Sequence, residues 1–338
     1  MSHAVLLLAH GTPNVLGEMA EYLSKVTGGR ALPDEVVEEL KHRYAQIGLK
    51  ETAGDEPPPL TKWTLAQGKA LEHALDGTRV YIAMRNWSPY IADVVEQMRS
   101  DGVTKIRAIC LAPQNSRTSV GLYRRALMAA ATGIEVEFVA GWAENPLLVQ
   151  AFAEKLEPVW SQACVELGRQ IPVLFTAHSV PCRTIMTGEA SIAGARPGTP
   201  MQDSPDPYPV EAKRTAALVA ERLAKTGLTE HDWYFAFQSQ GVSGGPWIGP
   251  TVEDTLKALK EEGHTGVVMQ PIGFVCDHVE VLYDIDIAFK ETATSLGMKL
   301  WRAESLNDSP TLTEALVQIA SMEDQVETSS ITAVKAGR

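Results

Sequence analysis

The chain has 338 residues, 45% of them hydrophobic and 21% charged, and its formal net charge is −12 at pH 7. This composition is typical of a soluble globular protein, and the negative charge argues against a surface that binds nucleic acid. No segment approaches the roughly twenty apolar residues that span a membrane. The start, Met-Ser-His-Ala, lacks the basic region of an export signal, so we expect a cytoplasmic protein.

Strand-like and helix-like segments alternate along the chain, as judged from short apolar runs and from apolar residues at helical spacing. In the first half, the predicted strands are 4–8, 78–84, 105–111 and 134–139, and the predicted helices are 18–25, 33–47, 61–75, 89–99 and 117–131. In the second half, the predicted strands are 171–176, 233–237, 266–270 and 299–302, and the predicted helices are 210–225, 252–262, 277–290 and 310–322. This order is typical of parallel sheets with crossover helices.

The predicted fold class is therefore α/β, with two similar Rossmann-like halves that each contain a doubly wound parallel sheet. We place the first half at residues 1–150, the second half at 151–325 and a frayed tail at 326–338. Residues 187–206 hold several glycines and prolines with little periodicity, which predicts a surface insertion in the second half.

One short pattern occurs twice, about half the chain apart. The apolar run 4–8 leads into Ala9-His10-Gly11-Thr12-Pro13, and the run 171–175 leads into Thr176-Ala177-His178-Ser179-Val180-Pro181. In α/β sheets, ligands gather at the carboxyl ends of the strands. The repeat therefore predicts one cleft that receives an imidazole from each half, although a single histidine after a strand is more often structural.

Acidic residues cluster after the predicted strand 266–270. On a helix that begins near Asp277 as its N-cap, the carboxylates of Asp277, Glu280 and Asp284 share one face. They could form a solvated acidic face near a helix N-terminus. Together with His178, they could instead bind a divalent metal or move protons. The residues alone leave both interpretations open.

Several kinds of site are not supported by the sequence. The four cysteines are far apart and form no Cys-x-x-Cys pair, so neither a zinc site nor an iron–sulfur cluster is expected. The chain has no Walker loop, no Gly-x-Gly-x-x-Gly after a strand and no His-Glu-x-x-His. These absences argue against phosphate-loop, dinucleotide and zincin chemistry.

Some aromatic and basic residues suit ligand binding without forming a motif of their own. Trp247 follows a glycine-rich stretch and offers a flat apolar face. The pairs Arg43-Tyr44 and Tyr123-Arg124 join guanidinium and phenol donors, which suit carboxylates. Each of these residues is also consistent with packing or with an ordinary surface position.

Short motifs in a consistent order, taken together, resemble the ferrochelatase family over nearly the whole chain. They are Leu8-Ala9-His10-Gly11-Thr12-Pro13, His42-Arg43-Tyr44-Ala45-Gln46-Ile47-Gly48, Thr176-Ala177-His178-Ser179-Val180-Pro181, Phe237-Gln238-Ser239, Pro246-Trp247-Ile248-Gly249-Pro250, Gly273-Phe274-Val275-Cys276-Asp277-His278-Val279-Glu280-Val281-Leu282-Tyr283 and Arg302-Ala303-Glu304-Ser305-Leu306-Asn307. The resemblance implies two Rossmann-like halves around a porphyrin cleft. It also implies insertion of Fe²⁺ into a porphyrin with release of two protons, in haem biosynthesis.

The resemblance assigns roles to particular residues of this chain. His178 matches the family's active-site histidine and Glu280 its partner carboxylate, and either could bind the metal or move protons. Asp277 and Asp284 would extend a metal or proton route outward. Iron is implied as a substrate, with no tightly bound cofactor and no iron–sulfur cluster. The porphyrin is the implied partner, and a transient contact with another enzyme of the haem pathway is expected.

Details of the resemblance favour coproporphyrin III, which carries four propionates, over protoporphyrin IX, which carries two. Arg43, Tyr44 and Tyr123 match positions that hold propionates, and Trp247 is expected to line the ring. His10 stands where the coproporphyrin branch often has tyrosine, so it could ligate iron or simply line the cleft. The alternatives are protoporphyrin IX, cobalt or nickel insertion into a sirohydrochlorin-type ring, and a porphyrin carrier without turnover.

Overall fold

The computed structural model describes residues 2–186, 205–241 and 245–321. Within these residues the strands are β1 (Ser2–Ala9), β2 (Arg79–Met84), β3 (Val103–Cys110), β4 (Glu135–Val139), β5 (Val173–His178), β6 (Trp233–Gln238), β7 (Gly266–Pro271) and β8 (Lys299–Arg302). They form two parallel sheets, in the orders β2-β1-β3-β4 and β6-β5-β7-β8. The same order in both sheets confirms the predicted α/β fold with two similar halves.

Helices connect the strands and cover the sheets. They are α1 (Met19–Val26), α2 (Asp34–Gln46), α3 (Pro59–Ala74), α4 (Ile91–Ser100), α5 (Val120–Ala130), α6 (Pro146–Leu167), α7 (Cys182–Met186), α8 (Tyr208–Arg222), α9 (Val252–Glu261), α10 (Val279–Leu282), α11 (Lys290–Ser295) and α12 (Pro310–Ser321), with a π-helix at Asp284–Phe289. None of the helices in the described ranges is both long and apolar enough to cross a membrane.

The strands β1 and β5 occupy equivalent places, because β1 lies between β2 and β3 and β5 lies between β6 and β7. Residues 4–9 of β1 are at most 4% exposed, which explains their continuous apolar run. His10 follows β1 directly, and His178 is the last residue of β5. The repeated Ala-His pattern therefore places two histidines at the carboxyl ends of equivalent strands.

Helix α6 was not predicted, although its end signals are present in the sequence. Asn145 caps it by accepting hydrogen bonds from the backbone N–H groups of Leu147 and Leu148, at 2.9 and 3.1 Å. Gly168 ends it with a left-handed φ of +64°. The predicted boundary between the halves, at residue 150, lies inside this helix. The division into halves at that residue stays a prediction.

The two halves share one large core. Apolar side chains of β1, α6 and β5 lie in the same buried cluster, including Leu7, Phe152 and Phe175. Helix α12 packs against α6 and against α3 of the first half. The guanidinium of Arg107 on β3 donates a hydrogen bond to the carbonyl of Ile319 on α12, at 2.8 Å. The last described helix therefore closes back onto the first half.

The prediction of one helix over 277–290 was wrong. The segment forms the four-residue α10, the π-helix and α11, and His278 rather than Asp277 occupies the N-cap position of α10. The carbonyl of Tyr283 accepts from the N–H of Ala288, five residues on, at 3.0 Å. This wider turn ends the regular 3.6-residue period on which the prediction depended. Most of the predicted insertion at 187–206 and the whole predicted tail lie outside the described residues.

Candidate active site

A cavity of about 800 Å³ lies between the two halves, at the carboxyl ends of β1 and β5. Most of the predicted site residues line it. They are His10, Tyr44 and Tyr123 from the first half and His178, Trp247 and Glu280 from the second. This volume is in the range of small-molecule and cofactor sites. The predicted cleft with an imidazole from each half is therefore present.

His178 and Glu280 form the charged centre of this cavity. The Nε2 atom of His178 lies 3.1 Å from Oε1 of Glu280, and both side chains are 32% exposed. The Nδ1 atom of His178 donates to the carbonyl of Ser179. Both ring nitrogens thus face acceptors, an arrangement that suits an imidazole carrying two protons.

The electrostatics of the pair follow from this geometry. Burial alone would lower the pKa of His178, but the Glu280 carboxylate offsets it and raises the pKa to about 9. Burial would likewise raise the pKa of Glu280, but the charge and hydrogen bond of His178 hold it well below its usual range. At neutral pH the ligand-free pair is therefore an ion pair.

Glu280 is held by more than its histidine partner. Its second oxygen, Oε2, lies 3.5 Å from Nε2 of His278. The backbone carbonyl of Glu280 accepts a hydrogen bond from the side-chain amide of Gln238, at 2.6 Å. His278 is fixed in turn, because its Nδ1 hydrogen-bonds to the carbonyl of Cys276 at 3.0 Å and its ring packs against Phe274. The carboxylate is thus well oriented before any ligand arrives.

His10 differs from His178 in its surroundings. Burial lowers the pKa of His10 to about 4, so the ring is neutral at physiological pH. Its Nδ1 lies 3.2 Å from the side-chain amide of Asn86, and its ring meets Tyr22 edge-on. A neutral imidazole keeps a lone pair, which is what metal ligation requires.

Two phenols and a tryptophan complete the predicted lining. Burial raises the pKa of Tyr44 to about 12 and raises that of Tyr123 further, so both hydroxyls stay protonated and can donate. Trp247 packs its ring over Gly241, where an added Cβ would lie 2.8 Å from the indole. The ring centroid of Trp247 is 6.4 Å from that of His178. The glycine thus lets the indole sit close to the charged pair.

Arg43 was predicted beside Tyr44, but it does not line the cavity. Its Nε donates to Glu39 at 2.6 Å, its Nη1 lies 3.8 Å from Asp284, and its guanidinium covers the ring of Tyr283. These contacts hold the guanidinium against Tyr283 and Asp284, which follow Glu280 in the chain. A direct role for Arg43 with the substrate stays a prediction.

Arg85 was missed by sequence analysis. It follows β2 directly, lines the cavity and, among the residues that the structure describes, its guanidinium has no hydrogen bond or ion pair. Burial lowers the pKa of Arg85, with Tyr123 close enough to oppose this. The signal available in the sequence was its position at a strand end, where ligands gather.

Asp277 and Asp284, the carboxylates predicted to extend a route outward, lie in different surroundings. Burial raises the pKa of Asp284 to about 6, and the hydroxyl of Ser239 donates to it. Asp277 instead accepts from Ser305 and Asn307, at 2.8 and 2.9 Å, and faces Arg302. Asp284 therefore lies near the charged pair, whereas Asp277 belongs to a separate polar network.

Glu280, His178 and His278 are the candidate metal donors in the cavity. In the ranges that the structure describes, no group of three or more His, Cys, Asp or Glu side chains is arranged to hold a metal ion. The oxygen and imidazole nitrogen atoms present suit a divalent ion of intermediate softness such as Fe²⁺.

Comparison with known proteins identifies what the chain is similar to. The sequence model of the ferrochelatase family matches residues 2–323. A ferrochelatase of Acidobacterium capsulatum is 57% identical over 319 residues, which cover 94% of this chain and 93% of that protein. A coproporphyrin III ferrochelatase of Geobacillus thermodenitrificans is 32% identical over 325 residues, covering 93% and 94%.

A solved structure with the same fold is the sirohydrochlorin chelatase SirB from Bacillus subtilis subspecies spizizenii, in complex with cobalt. It aligns with a TM-score of 0.52 over 95% of this chain and 96% of SirB, at 11% sequence identity. This similarity supports the chelatase fold with two related halves.

Proposed function

This chain belongs to the ferrochelatase family, the metal-inserting lyases of haem biosynthesis, and from that premise we propose that it inserts Fe²⁺ into coproporphyrin III in the cavity between its halves. The reaction binds one Fe²⁺ to the ring nitrogens and releases the two pyrrole N–H protons. The observation that carries the proposal is the His178–Glu280 pair, which brings a metal-binding group and a proton-transfer group to one cavity.

The charges of the pair suggest how these tasks divide. The ionised Glu280 is the group ready to receive Fe²⁺, because a carboxylate binds metal only without its proton. Once iron engages that carboxylate, His178 loses the charge that raises its pKa. Its imidazole can then release its own proton toward solvent, accept the two pyrrole protons one after the other and pass each of them on. Asp284, with its pKa near 6, is the next carboxylate for a proton on its way out.

His10 would act on the iron after insertion. It comes from the other half of the molecule, lines the same cavity and is neutral at physiological pH. A neutral imidazole is a suitable axial ligand for iron in a porphyrin. We therefore propose that His10 binds the iron of the product and slows its release.

The choice of coproporphyrin III depends on groups that can hold propionates. Arg85 and Lys50 bring cations to the cavity lining, and Tyr44 and Tyr123 bring protonated phenols. A guanidinium in a partly buried cavity binds a carboxylate strongly, since the pair then forms charge-assisted hydrogen bonds. A ring with four propionates can use more of these donors than a ring with two. The coproporphyrin III ferrochelatases among the relatives support the same choice.

The test is anaerobic Fe²⁺ insertion by the purified protein, followed by absorbance with coproporphyrin III and with protoporphyrin IX. We expect kcat/KM to favour coproporphyrin III by at least about tenfold, because one charge-assisted hydrogen bond contributes about 1.5–3 kcal/mol. Arg85→Met should reduce that preference. Arg125→Met, at an exposed arginine outside the cavity lining, is the matched control and should keep it.

Other outcomes would assign a different substrate or role. A preference for protoporphyrin IX would retain iron insertion and overturn the propionate argument. Tight binding of both porphyrins without turnover would favour a carrier.

A further inference from the structure

The segment that carries Glu280 needs support from outside itself. Helix α10 has only four residues, and the residues between β7 and α10 form no regular element. Helix α10 continues through Tyr283 into the π-helix, so Glu280 lies in the first turn of a longer helical run whose N-terminal side is irregular. The backbone N–H groups of a first turn lack partners within the helix. The position of the Glu280 carboxylate therefore depends on the contacts that hold this turn, before α10 and in the π-helix after it.

Arg302, at the end of β8, contacts the segment on both sides of Glu280. Its Nε and Nη2 atoms donate to the two oxygens of Asp286, at 2.7 and 2.9 Å. Its Nη1 lies 3.4 Å from Oδ1 of Asp277. Asp277 precedes α10 and Asp286 lies in the π-helix that follows it. One guanidinium thus joins the entrance and the exit of the turn that bears Glu280.

The charges of this network make the arginine hard to replace. The side chain of Arg302 is 14% exposed and that of Asp277 is 17% exposed, whereas that of Asp286 is 37% exposed. Without the guanidinium, the carboxylates of Asp277 and Asp286 would lose the cation that joins them. Removal of one partner from a partly buried charge network leaves the others uncompensated and displaces the groups around it.

The loop after β8 strengthens the same contact. Ser305 and Asn307 donate to Asp277, and the backbone N–H of Asp277 donates to the side-chain carbonyl of Asn307 at 2.9 Å. The backbone N–H of Asn307 donates to the carbonyl of Val275 at 3.0 Å. A displacement of Asp277 would therefore also displace the loop after β8. Arg302, at the end of β8, connects Asp277 and this loop to the sheet.

We propose that Arg302 is a positioning residue, which holds Glu280 at His178 by bridging Asp277 and Asp286. It touches neither the cavity nor the reacting atoms. The inference rests on the proposed function only in that Glu280 is taken as the metal-binding carboxylate. Since misplacement of a reacting group by about 1 Å can lower a rate about a hundredfold, the effect should appear in kcat.

The test compares Arg302→Met with Arg107→Met. Arg107 is a matched control, because it is also a buried arginine paired with a carboxylate, Glu137 at 3.2 Å, on a strand of the other half. At a temperature where both variants are folded, Arg302→Met should lower kcat by about ten- to a hundredfold and change the porphyrin KM by less than about twofold. Arg107→Met should keep kcat. Arg302→Lys should be intermediate, since one ammonium cannot reproduce the bidentate contact.

A second readout does not depend on turnover. In porphyrin-free protein, the ring Nε2 proton of His178 should resonate far downfield in the wild type and Arg107→Met, and shift in Arg302→Met as Glu280 moves away. Equal kcat values for Arg302→Met and Arg107→Met, or an unmoved His178 resonance, would overturn the inference. If Arg302→Met does not fold, Asp286→Asn is tested by the same two measurements, because it removes one charge of the bridge and keeps the shape of the side chain. A wild type that inserts no iron would instead contradict the proposed function.

Discussion

At the scale of single residues, His178 is protonated in the ligand-free site. Glu280 keeps that proton in place, because a carboxylate 3.1 Å away stabilises the imidazolium. His10 is held neutral by burial in the same cavity. The two imidazoles of the repeated pattern are therefore in opposite protonation states at neutral pH. This difference separates a group suited to proton transfer from one suited to ligation.

The first prediction concerns the titration of His178. Its raised pKa means that the ring should remain protonated through neutral pH and lose its proton near pH 9. In Glu280→Gln the attractive charge is absent while burial remains, so the pKa should fall below 6.5, the ordinary histidine value. NMR titration of the ring nitrogens in porphyrin-free protein measures both. A wild-type inflection at or below the ordinary histidine value would contradict the ion pair.

The raised pKa of His178 also makes the stability of the protein depend on pH. A histidine whose folded pKa is raised stabilises the fold fully below its unfolded pKa, and this contribution disappears as pH rises through about 9. The wild type should therefore exceed Glu280→Gln in free energy of unfolding more at pH 7 than at pH 10. Equal differences at the two pH values would argue that the pair is not charged.

A second prediction concerns His10. If its imidazole binds the product iron, His10→Ala should shift the Soret band of the ferric product complex, because the axial ligand changes. The wild-type spectrum should stay constant between pH 5 and 8, since the ring is already neutral above pH of about 4. His231→Ala removes an exposed histidine and serves as the control. An unchanged Soret band in His10→Ala would leave His10 as a lining residue.

A residue of the site could be predicted only where a local sequence pattern marks it. His178 ends a buried strand and Glu280 belongs to a dense motif, so both could be named before the structure. Arg85 belongs to no motif, and its importance depends on the fact that no described residue pairs with its guanidinium, which only tertiary structure reveals. The contacts of Asp277 could not be predicted either, because Ser305, Asn307 and Arg302 are distant in sequence.

At the scale of elements, the turn after β1 shapes the first-half wall of the cavity. Gly11 has a left-handed φ of +88°, and a Cβ placed there would lie 2.8 Å from the backbone nitrogen of Trp87. Both the dihedral angle and the close approach require glycine. The turn that follows His10 is thus packed directly against the segment after β2, which contains Arg85 and Asn86.

The third prediction follows from this turn. Gly11→Ala should lower the free energy of unfolding by about 1–3 kcal/mol, because a strained backbone and a steric conflict are added together. Gly17→Ala is the control, since no atom of the described residues lies within 4 Å of its added Cβ and its φ is not left-handed. Urea denaturation of both variants measures the difference. Equal stabilities would show that the turn relaxes without strain.

Elements were predictable where their period was regular. The eight strands of the described residues were all predicted, and the buried central strands such as β1 and β5 form continuous apolar runs. The π-helix could not be predicted, since a hydrogen bond to the fifth residue leaves no distinct periodicity in six residues. It contains both Asp284, which contacts Ser239, and Asp286, which contacts Arg302. Helix α6 could have been found from Asn145, Pro146 and Gly168.

At the scale of the whole molecule, the cavity exists because two similar halves face each other around a shared core. Gln114, after β3, donates to Thr215 on α8 and to the carbonyl of Ile272 after β7, at 3.1 and 3.0 Å. This buried amide fixes the two halves next to the cavity. The repeat in the sequence predicted the two halves and their histidines. It could not predict how closely the halves approach, because that depends on α6, α12 and such long-range contacts.

We propose that the His178–Glu280 pair carries out metal insertion in this cavity, and removal of the Glu280 charge tests this proposal. Anaerobic Fe²⁺ insertion is measured for the wild type, Glu280→Gln and the exposed control Glu144→Gln, together with porphyrin affinity from fluorescence quenching. We predict that Glu280→Gln lowers kcat by at least about a hundredfold, while its porphyrin Kd stays within about twofold of the wild type. Glu144→Gln should match the wild type in both quantities. Turnover by Glu280→Gln within a few-fold of the wild type would show that metal insertion does not require the Glu280 carboxylate.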